Sequence, residues 1–284
     1  MNTYNKTDIL DVPRSVLQRV AVLYPSGNTT AVVFDKPRND GRKALNRKVL
    51  RAWKRLQPDA HLIEQCCFVT APRSQNSIAR VEMFGGEFCA NATRAVVWLL
   101  KGGRNSSGNI EVSGVGHPLE FSIEDGVVAL TMPLPAGKRF VRRVQEGVVV
   151  ELDGITQLVV VAADARKRQS PRQLLRALLN SNKYGMADRP CVGVSYYDPK
   201  SANGKFCVWV KEVDTIFDET ACGSGTCAIG IALATALESS VTLSVVQPSG
   251  ERIDTRAVYR SGRVSKSQIA GGVAKIYDGC LELT

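Results

Sequence analysis

Two short stretches of this chain follow one pattern, and this repeat restricts the fold more than any other feature of the sequence. Residues 89–93 read Cys-Ala-Asn-Ala-Thr, and residues 222–226 read Cys-Gly-Ser-Gly-Thr. In both, a cysteine precedes small and hydroxyl residues, and a dense apolar run follows. Each stretch therefore predicts a thiol at the N-terminus of a buried helix. We expect the two thiols, Cys89 and Cys222, to face one another across a single site.

The regions around the two motifs repeat as well. Strand-like runs precede and follow each cysteine helix, so the order strands, helix, strands occurs twice along the 284 residues. This duplication favours two similar domains related by a pseudo-twofold axis. A helix that is apolar on nearly every face must be surrounded, so we expect each one to lie inside a curved sheet that wraps it. Pro133-Leu134-Pro135 marks the candidate boundary between the domains.

Local signals predict several further elements. Residues 1–15 have the composition of a polar extension, and residues 36–55 have the spacing of an amphipathic helix with a basic face. Val148 to Ala162 is strand-like. Asp125-Gly126 is a strong hairpin signal, and Asp278-Gly279 is also predicted to mark a turn.

The composition limits the classes of protein to which this chain can belong. With 44% hydrophobic and 23% charged residues, it has the content of a soluble globular protein with a real core. No apolar run approaches the ~18 residues of a membrane helix, and the N-terminus has no apolar signal core. We therefore expect a cytoplasmic protein with no membrane partner. The eight cysteines are scattered through a chain long enough not to need disulfides, which favours reduced thiols.

The net charge of +10 would suit an acidic partner such as nucleic acid. Much of the excess, however, lies on the predicted basic helix at 36–55. No recognition motif or aromatic platform accompanies the charge. We interpret this helix face as solvated and expect no nucleic-acid partner.

Cysteines at helix N-termini suit acid–base chemistry on an amino acid. The first turn of a helix has unpaired N–H groups and a partial positive charge, so it binds anions and lowers a thiol pKa from about 8.5 toward neutrality. Small residues after each cysteine let a substrate carboxylate approach those N–H groups. A single base returns the α-proton to the face that it left, whereas two thiols on opposite faces allow removal on one side and delivery on the other. The sequence therefore predicts inversion of a stereocentre by Cys89 and Cys222, with no cofactor.

The remaining cysteines and the histidines are expected to be structural. A single cysteine before an apolar helix is more often a buried small hydrophobe, and it is the repeat that distinguishes Cys89 and Cys222. A helix rotates Cys227 by ~140° from Cys222, which argues against a zinc pair, and we expect no metal. Strand-like runs contain the other cysteines, which are Cys66, Cys67, Cys191, Cys207 and Cys280. The two histidines, His61 and His117, show no pattern of partner residues.

Three polar residues near the motifs have their own interpretations. The glycines around Ser224 form neither a phosphate loop nor a nucleophile elbow. We therefore expect the N–H and the hydroxyl of Ser224 to donate hydrogen bonds to the substrate carboxylate. Asn28 and Asn91 are equally consistent with binding residues and with plain turn and cap residues.

These motifs resemble those of the diaminopimelate epimerase superfamily, the cofactor-independent amino acid racemases and epimerases. The resemblance covers nearly the whole chain from Tyr24 on, and it includes Ser26-Gly27-Asn28, Glu64-Gln65 and residues 247–250 and 276–279. It implies an α/β fold of two pseudo-symmetric domains, each a strongly curved, mostly antiparallel sheet around a central helix. A homodimer is common in this superfamily, and we expect one here.

The resemblance also implies domain limits and site residues by position. Because the last strands of the family fold return to the first domain, we expect one domain at 1–134 plus 266–284 and a second at 135–265. Cys89 and Cys222 match the catalytic pair. The implied substrate contacts are Asn28, Gln65, Ala90, Asn91, Gly223 and Ser224.

Departures from the superfamily pattern bear on the substrate. Diaminopimelate epimerases have Glu-Arg-Gly where this chain has Asp214-Thr215-Ile216, so the arginine that grips the distal carboxylate is missing. Ile155 also stands where an asparagine is expected. The flanks of both cysteines instead resemble the histidine racemases of opine-metallophore pathways. Glu87 and Glu219 are candidate acceptors for a cationic or imidazole side chain, although Glu219 is equally placed to cap the helix.

The leading hypothesis is a cofactor-independent racemase or epimerase for histidine or a related polar or basic amino acid. The runner-up is a diaminopimelate epimerase with altered distal recognition. A non-catalytic relative that holds an amino acid is the alternative from another class, although such a protein would not need both cysteines. A nucleic-acid-binding protein is the weakest alternative.

Overall fold

The computed structural model describes residues 16–34, 41–58, 62–137, 139–161 and 169–283. Within these ranges the chain has a mixed α/β fold that consists mostly of strands, with four α-helices packed against one continuous sheet. The predicted polar extension at 1–15, the start of the predicted basic helix and His61 lie outside the described residues.

The elements follow one another in two sets. The described part of the first half contains β1 (Val16–Tyr24), β2 (Thr30–Val33), α1 (Arg42–Leu56), β3 (Gln65–Thr70), β4 (Ser77–Met83), α2 (Ala90–Lys101), β5 (Ser106–Val112), β6 (Leu119–Glu124) and β7 (Val127–Thr131). The rest contains β8 (Val141–Arg143), β9 (Val148–Leu152), β10 (Ile155–Val161), α3 (Pro171–Asn180), β11 (Cys191–Asp198), β12 (Asn203–Val210), β13 (Thr215–Glu219), α4 (Gly223–Leu237), β14 (Val241–Val246), β15 (Arg252–Arg260), β16 (Arg263–Gly272) and β17 (Ala274–Leu283).

The strand pairings of the first set recur in the same order in the second. β1 is antiparallel to β2, which is parallel to β3, and β9, β10 and β11 pair in the same way. β3 is then antiparallel to β4, which is parallel to β5, and β11, β12 and β14 match them. Antiparallel pairs complete both sets, through β5, β6 and β7 and through β14, β15 and β16. The internal repeat that the sequence predicts is therefore present in the topology.

Two strands at the end of the chain connect the sets. β16 pairs with β15 and, through Gln268–Gly272, also with β7. β17 then returns to the first set and pairs antiparallel with β1 along both strands. The expected domain boundary at residue 266 therefore falls within a strand that pairs with both sets.

Alternate residues of one strand pack against different helices. On β1, Val20 and Val22 belong to a core cluster with Trp53 of α1, whereas Ala21 and Leu23 belong to a cluster with the side chains of α2. Successive side chains of a strand point to opposite faces, so α1 and α2 cover opposite faces of the first set. The same alternation places α3 and α4 on opposite faces of the second set.

The two cysteine helices are the deeply buried ones. Eleven of the 15 residues of α4 and eight of the 12 residues of α2 are buried. α2 contacts β2, β3, β4, β5 and β7, α4 contacts β9, β10, β11, β14, β15 and β16, and the two helices contact each other. These contacts bring the two cysteine motifs to one region of the molecule.

The helix α1 is amphipathic, as the sequence predicts. Val49, Ala52 and Trp53 are buried, and Arg47, Lys48, Arg51, Lys54 and Arg55 are exposed. Among the helices of the described ranges, none is both long and apolar enough to cross a bilayer.

Some local predictions hold and others fail. Asp125 and Gly126 have φ values of 50° and 79° and form the turn between β6 and β7, as predicted. The prediction of a turn at Asp278-Gly279 is wrong, because both residues pair with β1 inside β17 and the strand ladder outweighs their low β-propensity. The strand-like run from Val148 is a hairpin of β9 and β10, with Gly154 at φ 84° in its turn.

Candidate functional site

Both cysteines occupy the N-cap position of a helix, as the sequence predicts. Cys89 precedes α2 in an extended conformation (φ −131°, ψ 112°), and its Sγ accepts a hydrogen bond from the N–H of Ala92 at 3.4 Å. Cys222 precedes α4 with φ −134° and ψ 105°, and its Sγ accepts from the N–H of Gly225 at 3.2 Å. Each sulfur therefore satisfies one free N–H group of a first turn and lies at the positive end of a helix dipole.

One pocket is lined by both cysteines and by every other residue that the sequence analysis selects for the site. Together they are Asn28, Gln65, Glu87, Cys89, Ala90, Asn91, Glu219, Cys222, Gly223 and Ser224. The rest of the wall includes Glu64, Cys191 and the apolar side chains of Ile155, Val208, Val210 and Phe217. The pocket thus takes residues from both sets of elements.

Gly223 allows the two helix N-termini to approach each other. A Cβ atom at this position would lie 2.9 Å from Cβ of Ala90, 2.8 Å from Cδ1 of Ile269 and 3.0 Å from Oδ1 of Asn91. Carbon atoms do not pack at such distances without displacement. The absence of a side chain at Gly223 therefore sets the separation of α2 and α4 at the pocket.

Asn28 and Asn91 hold the backbone that carries the second cysteine. Nδ2 of Asn28 and Nδ2 of Asn91 both donate to the carbonyl of Ala221, at 3.1 Å and 3.0 Å. Asn28 also donates to Oε1 of Glu219 at 3.1 Å. Ala221 immediately precedes Cys222, so two amides from the first set fix the entry to α4.

Two carboxylates face the pocket with unused acceptor capacity. Oε2 of Glu87 and Oε2 of Glu219 are buried and have no hydrogen-bond partner among the described residues. Burial raises the pKa of Glu87, and burial together with the charge of Glu64 raises the pKa of Glu219 to about 7. Buried acceptors without partners are costly, so this pair suits a ligand that donates hydrogen bonds or carries positive charge. The alternative that Glu219 caps α4 is wrong, because Cys222 occupies the cap.

The prediction that the helix N-termini lower the thiol pKa values is wrong for this pocket. Burial raises the pKa of Cys89 to about 12, the charges of Glu219 and Glu87 add to the increase, and the hydrogen bond from Ala92 opposes it. Burial also raises the pKa of Cys222, and the charge of Glu219 adds to this increase. The helix N–H groups favour the thiolates, but desolvation and the nearby carboxylates outweigh them.

Two glutamines, one from each set of strands, lie against the cysteines. Sγ of Cys89 donates to Oε1 of Gln65 at 3.1 Å. Nε2 of Gln157 donates to Oγ of Ser224 at 3.0 Å and lies 4.0 Å from Sγ of Cys222. Gln157 was not predicted from the sequence as a site residue. Its signal was a glutamine within the mostly apolar run that became β10, since such a residue needs a polar partner when it is buried.

Two further contacts fix the start of α4. The N–H of Cys222 donates to Oε1 of Gln247 at 3.0 Å. Glu64 reaches from the first set to Thr220, whose hydroxyl donates to one carboxylate oxygen and whose N–H donates to the other at 3.2 Å. Both residues lie in stretches that carry the family resemblance, but their roles are visible only in three dimensions.

All eight cysteines are free. Cys66, Cys67, Cys207 and Cys227 are buried and Cys280 is exposed, all outside the pocket. Cys191, which the sequence analysis groups with them, lies on the pocket wall. Within the described ranges, no cluster of three or more His, Cys, Asp and Glu side chains is arranged to hold a metal ion.

The fold is shared with racemases and epimerases of amino acids. A hydroxyproline epimerase from Agrobacterium vitis, solved with trans-4-hydroxy-L-proline, aligns over 94% of this chain and 93% of its own at 16% identity, with a TM-score of 0.61. A predicted epimerase from Pseudomonas aeruginosa aligns over 94% and 99% at 14% identity, with a TM-score of 0.62. A probable proline racemase from Agrobacterium radiobacter aligns over 94% of this chain and 93% of its own at 14% identity, with a TM-score of 0.57. These alignments show that the protein has the fold found in amino acid racemases and epimerases.

The family can be stated more closely. The family model described as "Histidine racemase CntK N-terminal domain" matches residues 21–281, and this chain therefore belongs to the histidine racemase family. A histidine racemase from Fusobacterium nucleatum is 27% identical over 187 residues, which cover 61% of this chain and 68% of the relative. The resemblance identified from the cysteine motifs is confirmed.

Proposed function

We propose that this protein racemises histidine by a two-base mechanism in which Cys89 and Cys222 act on opposite faces of the α-carbon. The observation that carries the proposal is the single pocket in which both thiols cap helices beside two carboxylates with free acceptor atoms. Membership of the histidine racemase family and the name of the Fusobacterium nucleatum relative support the choice of histidine.

The proposed reaction moves one proton at each sulfur. The thiolate of one cysteine removes the α-proton, and the electron pair of the broken C–H bond delocalises into the substrate carboxylate. The thiol of the other cysteine then protonates the opposite face. After one turnover the two cysteines have exchanged protonation states, so the enzyme is ready for the opposite enantiomer. No other reactant is consumed.

We place the substrate carboxylate at the two helix N-termini. Ala90 and Asn91 begin α2, and Gly223 and Ser224 begin α4. Free N–H groups in these first turns stabilise an anion, and they stabilise it further as negative charge develops on the carboxylate in the transition state. The ammonium group of an amino acid brings a positive charge to the thiols, which opposes the increase in their pKa values.

We place the imidazole between the two carboxylates. Glu87 and Glu219 each offer a buried oxygen without a partner, which matches the two N–H groups of a protonated imidazole. Ile155 and Phe217 offer apolar surface to the ring. A second carboxylate, as in diaminopimelate, would meet two acidic side chains here and no cation. Thr215, which stands at the position of the arginine of diaminopimelate epimerases, offers such a substrate no positive charge.

The domain and assembly expectations belong to the same proposal. We propose two domains, at 1–134 plus 266–284 and at 135–265, each a curved sheet around its cysteine helix. The contacts of α2 and of α4 with several strands each support this arrangement. We further propose a homodimer, which light scattering of the purified protein would test. The cytoplasmic location and the expected lack of a cofactor, a metal and a nucleic-acid partner stay predictions.

The test is hydrogen exchange at the α-carbon. L-histidine and meso-diaminopimelate are incubated separately with the enzyme in deuterated water without pyridoxal phosphate. We expect α-deuterium incorporation and loss of optical activity for histidine. Exchange of diaminopimelate instead would support the epimerase alternative. Binding of histidine without any exchange would identify a non-catalytic relative, and neither outcome is compatible with the proposal.

Single variants test the two-base assignment. Cys89→Ser and Cys222→Ser should each abolish racemisation, because a hydroxyl is too weak an acid to replace a thiol. Cys280→Ser serves as the matched control, since Cys280 is exposed and outside the pocket. Full turnover by either pocket variant would contradict the assignment.

A further inference from the structure

A fully buried amide lies behind the second cysteine without lining the pocket. Gln157 of β10 has no exposed surface, and apolar residues follow it along the strand. A buried amide without partners costs free energy. Gln157 avoids this cost, because Oγ of Ser195 donates to its Oε1 at 3.0 Å and its Nε2 donates to Oγ of Ser224 at 3.0 Å. The pocket wall includes Ser224 but neither Gln157 nor Ser195.

Two glycines leave room for this amide and its partner. Gly193 pairs with Gln157 across β10 and β11, and a Cβ atom there would lie 2.1 Å from Oε1 of Gln157. Gly225 stands in the first turn of α4, where a Cβ atom would lie 2.5 Å from Oγ of Ser195. A side chain at either position would displace part of the chain of hydrogen bonds from Ser195 through Gln157 to Ser224. The surroundings therefore fix where the amide lies.

The hydrogen bonds of this chain run in one direction, from Ser195 toward Cys222. Oγ of Ser224 accepts from Gln157 and lies 3.4 Å from Sγ of Cys222. A thiolate carries no proton, so only the Ser224 hydroxyl can donate in this contact when Cys222 is ionised. The N–H of Gly225 donates to the same sulfur at 3.2 Å. An ionised Cys222 thus has two donors within hydrogen-bond distance, and Gln157 holds one of them.

Donors at the sulfur of Cys222 oppose an unfavourable environment. Burial and a neighbouring carboxylate raise the pKa of Cys222, because both disfavour the thiolate. The glutamine beside Cys89 is turned the other way. Nε2 of Gln65 donates to Oγ1 of Thr30 at 2.8 Å, and its Oε1 faces the sulfur of Cys89 at 3.1 Å. Of the two amides, that of Gln157 is the one that supports a thiolate.

We infer that Gln157 is a positioning residue for the proposed reaction, because it holds the hydroxyl of Ser224 in the orientation that donates to the Cys222 thiolate. A hydroxyl has one hydrogen, so this assignment leaves the N–H of Ser224, and not its hydroxyl, to the substrate carboxylate. The inference rests on the proposed role of Cys222 as a base.

A double-mutant cycle between Gln157 and Ser224 tests the inference. Its variants are Gln157→Met, which keeps the length of the side chain without the amide, Ser224→Ala, and the two together. Iodoacetamide reacts with thiolates, and mass spectrometry of the two peptides gives the initial alkylation rate of Cys222 relative to that of Cys89 in the same sample. This ratio is measured at one pH and needs neither a substrate nor a titration midpoint.

Gln157→Met should lower the alkylation ratio about threefold to tenfold, which is the effect of losing one hydrogen bond. It should have no further effect in the Ser224→Ala background, and kcat/KM for histidine should follow the same pattern. An unchanged ratio in a folded Gln157→Met would overturn the inference. An equal fall in both backgrounds would also overturn it, because Gln157 would then not act through Ser224. A ratio that follows the cycle in an enzyme that does not racemise histidine would support the inference and contradict the proposed substrate.

Controls separate this role from packing. Ser267→Ala removes another buried hydroxyl, one that contacts Sγ of Cys227 on α4 at 3.2 Å outside the pocket, and it should lower stability without changing the ratio. If Gln157→Met does not fold, Gly193→Ala takes its place, because its Cβ would displace the amide while every polar group is retained. An unchanged ratio in a folded Gly193→Ala would equally overturn the inference.

Discussion

At the level of single residues, burial in the pocket disfavours the thiolate that the proposed reaction needs as its base. Burial raises the pKa values of Cys89, Cys222 and Glu219, so each group favours its neutral form. Positive charge must therefore accompany any anion formed here, and in the proposed reaction the ammonium group of the substrate supplies it.

Glu219→Gln should change the pH dependence of stability. The pKa of Glu219 is about 7 in the folded protein against 4.5 for an ordinary glutamate. The stability that Glu219 contributes is therefore present below about 4.5 and is lost as the pH rises through about 7. We expect the variant to be more stable than the parent at about pH 8, by on the order of 1–2 kcal/mol, and to lose this advantage at about pH 5.

Urea denaturation of both proteins at the two pH values checks this expectation. Glu120→Gln is the control, because Glu120 is exposed and forms a surface ion pair with Lys266 and a long hydrogen bond from Thr131. An advantage of Glu219→Gln that is the same at both pH values would show that the pKa of Glu219 is not raised in the folded protein.

At the scale of elements, the meeting of two helix N-termini decides the geometry of the site. α2 and α4 begin in the same way, with a cysteine cap whose sulfur accepts an N–H of the first turn. Their separation depends on Gly223, where the missing side chain admits Ala90 and Asn91. The distance between the thiols is thus controlled by a residue that takes no part in proton transfer.

Gly223→Ala should separate the helices and reduce turnover. The added methyl group would lie within 3.0 Å of three side-chain atoms, so α2 or α4 must shift. A displacement of about 1 Å at a reacting centre costs on the order of 100-fold in rate, and we expect kcat for histidine to fall by a factor of that size. Gly116→Ala is the matched control, because a Cβ there meets nothing within 4 Å. Unchanged kcat in Gly223→Ala would mean that the helix separation is not critical.

At the scale of the whole molecule, contacts between the two sets of elements bring the site together. β16 and β17 join the sets in one sheet, and Glu64 holds Thr220 across the pocket. The pairing repeat also explains why the cysteines face a common space, since equivalent positions in the two sets carry them.

Glu64→Gln should weaken substrate binding more than chemistry. The amide retains only one acceptor for the two hydrogen bonds of Thr220, and a lost hydrogen bond to a charged group costs about 1.5–3 kcal/mol. We expect KM for histidine to rise about tenfold with a smaller change in kcat, because the link between the sets lies outside the two thiols. Glu251→Gln changes an exposed carboxylate two residues after Ser249, whose N–H donates to the carbonyl of Thr220, and it should leave both constants unchanged. A fall in kcat alone would contradict this role.

Mild oxidation should inactivate the enzyme reversibly by joining Cys89 to Cys222. Both sulfurs line one pocket, so a disulfide between them is the expected product, and a reductant should restore turnover. Peptide mapping without reduction identifies the linked pair, and Cys280→Ser shows whether the exposed thiol contributes. Activity that survives the oxidant, with both thiols demonstrably close, would count against facing thiols.

Much of the architecture followed from local patterns. A cysteine followed by small residues and an apolar run predicts a capped, buried helix. Because this pattern occurs twice in the chain, it also predicts the internal repeat. The turn at Asp125-Gly126 was also predicted correctly, since its conformation depends on neighbouring residues alone. Asp278-Gly279 has the same local signal, but β17 pairs with β1 and overrides it. Turn propensity depends on adjacent residues, whereas the hydrogen bonds between β1 and β17 join residues far apart in the chain.

Chain order alone is enough to identify the family and ten residues of the pocket wall, because the motif, its repeat and its family resemblance are all local in the sequence. The electrostatics of the pocket depend on the fold instead. The direction of the thiol pKa values, the unpartnered oxygens of Glu87 and Glu219 and the contacts of Gln157 all arise from burial among residues far apart in the chain. Desolvation is a property of the surroundings, and no spacing of residues along the chain specifies it.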